Sequence, residues 1–175
     1  EASTSGLAAG GGGGGTQVVV VDPRRTASCD IADLHLALRP GTDTVLFNWL
    51  LSNSAHCMDF LENVEGAEEA LAQARLAAVE TTGLDPADLA QFLSIWRGSD
   101  RVVTVYSQGV NQSDDGTDKV NAILNCHLAT GRIGQPGTGP FSVTGQPNAM
   151  GGREVGGLAN MLACHLEIEN PAHRA

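Results

Sequence analysis

The sequence predicts an α/β domain with a doubly wound, mostly parallel sheet. Three observations point that way. Val18 to Val21 is an unbroken β-branched run, the pattern of a strand buried on both faces. A second valine-rich strand follows at Val102 to Tyr106. Between and after the two lie stretches with helical spacing, and strands alternating with helices return parallel to one another.

Residues 1–16 are small and end in the glycine run Gly10 to Gly15, which predicts a flexible segment that does not pack. No GK[ST] follows it, so it is not a phosphate loop. Asp22-Pro23 ends the first strand, since proline has no ladder donor. Leu34 to Leu38 alternates and predicts a second strand, closed by the turn Pro40-Gly41. Thr42 or Asp43 can cap a helix with Val45, Leu46, Trp49 and Leu50 on one face. Glu68 to Val79 is rich in helix formers. Asp85-Pro86 starts another helix, buried through Leu89, Phe92, Leu93 and Trp96. Asp118 to Thr130 predicts a helix ended by Gly131, residues 132–152 a Gly/Pro-rich loop, and Arg153 to His165 a last helix.

Composition narrows the function. An apolar content of 42% over 175 residues is enough for a core. The net charge of -10 argues against general nucleic-acid binding, which needs a basic surface. It leaves room for a small anion held by a few arginines and helix N-termini. No apolar stretch is long enough to span a bilayer, so no membrane partner is expected. Cys29, Cys57, Cys126 and Cys164 form no CxxC pair and read as free thiols. Three of them adjoin His56, His127 and His165, but neighbours on a helix diverge by about 100° and chelate poorly. Both ends of the chain read as cuts in a longer protein.

Three polar clusters sit where ligands bind in such folds, just past strand ends. Asp22-Pro23-Arg24-Arg25-Thr26 pairs a carboxylate suited to ribose hydroxyls with arginines suited to phosphate, or is a solvated turn. Arg39-Pro40-Gly41-Thr42-Asp43 offers a carboxylate that can accept two N–H bonds from a guanine edge, or is a helix cap. Ser107-Gln108-Gly109-Val110-Asn111-Gln112 offers neutral amides for heterocycle edges, or is a polar loop. In the long loop, Arg153 is placed at the head of a predicted helix. That position is unfavourable for the helix dipole and hints at an anion, unless the arginine pairs with Glu154 or Asp118.

In this order the segments VVVVDPRRT, IADLHLALRPGTD, VYSQGVNQS and LATGRIGQPGTGPFSVTGQPNAMGGREVGG resemble the bis(molybdopterin guanine dinucleotide) family, the dimethyl sulfoxide reductase superfamily. The resemblance covers about residues 17–175. It implies a Rossmann-like nucleotide-binding domain over 17–143 and the start of an adjoining cofactor-binding domain over 144–175. In formate dehydrogenases an arginine precedes the Gly-Gln pair, whereas Thr144 stands there here. TGQPNAMGGREVGG and VNAILNCHLATGRIG are similar to the assimilatory, cytoplasmic nitrate reductase branch.

The resemblance implies a parent that reduces nitrate to nitrite with molybdenum bis(molybdopterin guanine dinucleotide), an iron–sulfur cluster and an electron-donor protein or domain. Asp22, Arg24 and Thr26 are implied to line the nucleotide arm, and Gly41, Thr42 and Asp43 to hold a guanine. Gln108 and Gln112 are implied at the pterin side, Thr144 and Gln146 elsewhere on the cofactor, and Arg153 as the residue guiding nitrate. The family's cluster-binding cysteines and its molybdenum ligand are absent from these 175 residues, so the isolated chain is expected to be inactive. The rival readings are a formate dehydrogenase-like oxidoreductase and a non-catalytic nucleotide-binding module.

Overall fold

The computed structural model of the chain describes residues 5–10, 15–57, 62–73, 78–144, 149–157 and 162–173. They fall into two compact units, Glu1–Val143 and Thr144–Ala175.

The first unit is built on a five-stranded sheet of β1 (Ser5–Gly10), β2 (Gln17–Val21), β3 (Leu34–Leu36), β4 (Arg101–Tyr106) and β5 (Gly139–Ser142), in the order β3-β2-β1-β4-β5. β2 pairs with β3 and β4 with β5 in parallel, while β1 is antiparallel to both its neighbours. Four strands therefore share one direction, and the α/β class holds.

β1 corrects the expectation of an unpacked head. Its glycines and alanines carry little β propensity. A ladder, however, is made by backbone groups, and small residues pair as well as large ones in that respect. Ser5 to Ala9 fill the gap between β2 and β4, where both strands would otherwise show unpaired edges. β5 was also unforeseen, because Gly139-Pro140 reads as loop. It lies at the sheet edge, where proline's missing donor costs no ladder bond.

β2 buries Val19, Val20 and Val21, as the unbroken valine run requires. β4 alternates instead: Val102, Thr104 and Tyr106 are buried and Arg101 is exposed. The core on that face is filled by three helices: α1 (Asp43–Asn53), α4 (Pro86–Gly98) and α6 (Gly116–Ala129). α1 contributes Leu46, Phe47 and Leu50, α4 Leu89, Phe92 and Trp96, and α6 Ala122, Ile123 and Cys126. These are i, i+1, i+4 or i, i+3, i+7 positions, one stripe per helix. α4 starts as foreseen, with Asp85 Oδ1 accepting from Ala87 N at 2.7 Å and Pro86 in the first turn. α6 ends at Gly131, whose φ of +67° reverses the chain.

The helix foreseen over Glu68 to Val79 is two shorter described pieces, α2 (Ala67–Gln73) and α3 (Ala78–Thr82), and residues 74–77 lie outside the described residues. α5 (Gln108–Asn111) is a single turn leading into α6. Their junction requires glycine at 116: a Cβ there would sit 2.7 Å from Asn111 O.

One part of the core is polar. His127 and Thr104 are fully buried, with His127 Nε2 2.8 Å from Thr104 Oγ1. The Trp96 ring stands edge-on to His127, with centroids 5.1 Å apart, and the Arg132 guanidinium lies 4.5 Å over the same indole. Arg132 Nη2 also donates to the carbonyls of Trp96 and Ser99, which ties the chain leaving α6 to the end of α4. Burial, and to a lesser degree the Arg132 charge, lowers the pKa of His127 to about 4, so it is a neutral core histidine. Its neighbour Cys126 is fully buried, donates to Phe47 O at 3.1 Å, and has its thiol pushed far up by desolvation. All four cysteines are free, and no metal-binding group of histidines, cysteines or carboxylates occurs among the described residues.

The second unit holds α7 (Ala149–Glu154) and two single 3-10 turns, Ala163–His165 and Pro171–His173. The helix foreseen from Arg153 to His165 is therefore corrected. It starts earlier, at Ala149, and is over before Gly156, whose φ is +75°. Arg153 lies in the last turn of α7, not its first, and there a cation suits the dipole. The helix dipole therefore calls for no anion at Arg153. Glu154 pairs with His165 Nε2 at 2.6 Å.

Candidate cofactor-binding site

The four like-directed strands end on one edge of the sheet. Val21 stands beside Leu36 on one side and Ser5 on the other, Gly6 beside Val105, and Tyr106 beside Ser142. The ends of β2 and β4 are separated by β1 alone, two strand spacings or about 10 Å. The clusters that follow β2, β3 and β4 are thus brought to a common edge.

Asp22 leaves β2 fully buried. Its backbone N donates to Leu36 O at 3.2 Å, its carbonyl meets His35 Nε2 at 2.9 Å, and its Oδ1 accepts from Arg24 N at 2.8 Å. This turn leaves Oδ2 buried and without a partner among the described residues. A buried carboxylate oxygen with no donor is costly, and its presence fits a hydroxyl supplied from outside the chain. Arg24 is exposed. Thr26 stands half-buried before the 3-10 turn Ala27–Ile31, with its hydroxyl 3.9 Å from Cys29 Sγ. Arg25 pairs with Asp30 at the surface.

Arg39 acts as a strut. Its guanidinium donates to Glu80 O at 2.6 Å and packs against Gly83, pinning the turn after β3 to α3. Gly41 takes φ +82°, which admits the turn into α1. Thr42 is the N-cap residue, but its hydroxyl donates back to Arg39 O at 2.6 Å and does not cap. Asp43 opens α1, nearly buried, and its Oδ2 lies 3.5 Å from Lys119 Nζ.

Lys119 is the residue that sequence reasoning missed. It comes from the first turns of α6, is buried, and also meets Asp115 Oδ1 at 3.0 Å. Asp115 in turn accepts from Ser113 Oγ at 3.2 Å. Burial alone would lower the pKa of Lys119, but hydrogen bonds and charge from Asp115 and Asp43 outweigh that and raise it. Asp115 is held below the usual carboxylate value, first by its bond to Lys119. The chain Asp43–Lys119–Asp115–Ser113 therefore joins the cluster after β3 to the one after β4.

Gln108 opens α5 half-buried, and Gln112 closes it exposed, its N donating to Gln108 O. Asn111 Nδ2 reaches Ser142 Oγ at 3.4 Å, which ties this segment to the end of β5. Thr144 is exposed at the start of the second unit. Gln146 lies outside the described residues, and of Arg153 only the backbone placement is described.

Residues 7–173 match the family described as molybdopterin oxidoreductase. The chain belongs to this family. It is 51% identical over 153 residues to a nitrate reductase of Klebsiella oxytoca, covering 85% of this chain and 18% of that protein. It is 48% identical over 162 residues to a nitrate reductase of Shewanella frigidimarina, covering 86% and 17%. The assimilatory nitrate reductase catalytic subunit of Bacillus subtilis is 36% identical over 170 residues, covering 89% and 23%. The chain thus spans less than a quarter of the length of these relatives.

A molybdenum–pterin cofactor goes with a molybdopterin oxidoreductase, and the residues at the sheet edge have donor and acceptor chemistry compatible with a polar ligand. The orphaned Asp22 Oδ2 suits a hydroxyl, and the Asp43 carboxylate suits paired N–H donors. Among the described residues no helix is long and apolar enough to cross a membrane.

Proposed function

We propose that this chain forms part of the molybdopterin guanine dinucleotide pocket of a nitrate reductase catalytic subunit. The observation that carries the reading is the buried Oδ2 of Asp22, without a donor among the described residues, on the sheet edge that also receives Asp43 and Gln108. The similarity to proteins named nitrate reductase directs the reading to nitrate, and Thr144 in place of an arginine favours it over formate.

On this reading Asp22 accepts a ribose hydroxyl, with Arg24 and Thr26 along the nucleotide arm. Gly41 lets the backbone come close, and Thr42 and Asp43 receive the guanine. Gln108 and Gln112 meet the pterin side, and residues 144–175 begin the adjoining domain, where Thr144 and Gln146 touch the cofactor. When bound, molybdenum supplies the oxygen-atom transfer that turns nitrate into nitrite. Arg153 positions the nitrate anion by charge-assisted hydrogen bonds. The cofactor is the bis(guanine dinucleotide) form. Electrons arrive through an iron–sulfur cluster from a donor protein, and the parent is cytoplasmic.

The test is Asp22→Asn in the full-length parent, followed by assay of molybdenum and of GMP released on acid treatment. Losing the acceptor should strip most of both. Full molybdenum and GMP content in the variant would remove Asp22 from the pocket and the reading with it.

A further inference from the structure

Lys119 is a lysine in the interior. It is 3% exposed and is held between Asp43 Oδ2 at 3.5 Å and Asp115 Oδ1 at 3.0 Å. Long charged side chains are seldom buried without a reason, and a paired charge gains little net stability over an apolar side chain of similar size. The geometry suggests what is gained. Asp115 is the N-cap residue of α6 and Lys119 sits one turn further on, while Asp43 belongs to α1. The ammonium thus grips the first residue of one helix from the first turns of another.

We propose that Lys119 is a positioning residue that presents the Asp43 carboxylate to a guanine base; this rests on the reading of Asp43 given above. A carboxylate has about four lone-pair directions. Lys119 takes one on Oδ2 and leaves Oδ1, together with the other side of Oδ2, for two parallel N–H donors. Guanine's Watson–Crick edge carries such a pair, an imino and an exocyclic amino N–H, and adenine's does not. A carboxylate free to rotate at a helix start would instead turn to the helix's own unpaired N–H groups. The lysine blocks that alternative and supplies the counter-charge that two nearby carboxylates need. Asp115 is the outer anchor, itself steadied by Ser113 Oγ. The base selectivity of the site is therefore set by a residue that does not touch the base.

The experiment compares GDP and ADP binding by calorimetry to the 175-residue chain and to Lys119→Met, Lys119→Arg and Asp43→Asn. The parent sequence should prefer GDP to ADP by about tenfold or more, the scale of one charged hydrogen bond. Asp43→Asn should abolish that preference. Lys119→Met should bring it within about threefold of unity while leaving ADP affinity unchanged, and Lys119→Arg should restore it. General damage to the fold would weaken both nucleotides alike, and Lys119→Arg and circular dichroism would reveal it. A wild-type GDP/ADP ratio in Lys119→Met overturns the role of Lys119 and leaves Asp43 standing. GDP binding that is undetectable, or untouched by Asp43→Asn, overturns the reading of Asp43 and this inference together.

Discussion

The refusal of His127 to take up a proton should destabilise the first unit's core in mildly acidic solution. The imidazole is fully buried, its Nε2 is engaged with Thr104, and its Nδ1 has no partner among the described residues. Its pKa falls from 6.5 to about 4, through desolvation first and the Arg132 charge second. The unfolded chain therefore takes up a proton near 6.5 that the folded chain refuses until about 4. Stability is intact above the unfolded value and is lost as pH falls through this window. Linkage over 2.5 pH units gives about 3 kcal/mol at the acid limit, and about 2 kcal/mol between pH 7 and pH 5. Urea denaturation at those two pH values would measure it, with His127→Gln as control, because an amide can still meet Thr104 without titrating. The wild-type chain should lose about 2 kcal/mol more than the variant over that interval. Equal losses in both would show that His127 titrates normally and that the packing around it is looser than described.

Two further outcomes follow from the geometry and a third from the proposed role of Arg153. Gly116→Ala would push a methyl to 2.7 Å from Asn111 O and 2.9 Å from Asn111 C, so its urea midpoint should drop by the equivalent of about 1–3 kcal/mol; an unchanged midpoint would mean the α5–α6 junction yields freely. Asp85→Ala removes the acceptor for Ala87 N and should cost about 1 kcal/mol in the same assay, whereas Asp85→Ser should cost much less. In the full-length parent, Arg153→Ala should raise the apparent nitrate KM or lower kcat by about tenfold, the effect of one lost charged hydrogen bond, and unchanged kinetics would exclude it from the site.

The elements legible in the sequence are those whose side chains alone decide them. Four consecutive valines can be little other than a buried strand, and Asp85-Pro86 is a helix start by local chemistry. The two strands that escaped are decided by their neighbours. β1 has no side-chain pattern to read; it exists because β2 and β4 each offer it an open row of backbone groups. β5 contains Gly139-Pro140, tolerable at an edge and nowhere else in the sheet, and its edge position is a fact of topology. Arg153 shows the reverse error. The loop's glycines hid the start of α7 at Ala149, so an arginine in a helix's last turn was read as opening a helix.

The site divides along the same line. Asp22, Asp43 and Gln108 could be picked out because a parallel sheet sends the residues after each strand to one edge, and that rule needs only strand order and direction. What each side chain does there depends on partners from distant segments. Arg39 takes its role as a strut from Glu80 and Gly83, some forty residues on, and nothing in its own segment announces it. Lys119 did leave a trace. It stands at i, i+4 from Asp115, and with Ile123 and Cys126 it falls on the buried stripe of α6. A lysine on an apolar stripe is a conflict between pattern and chemistry, resolved only by a buried opposite charge. Such conflicts mark the places where a helix serves something besides its own packing. Here the conflict lies beside the carboxylate that the resemblance assigns to guanine, a residue that spacing alone would have left as a helix cap.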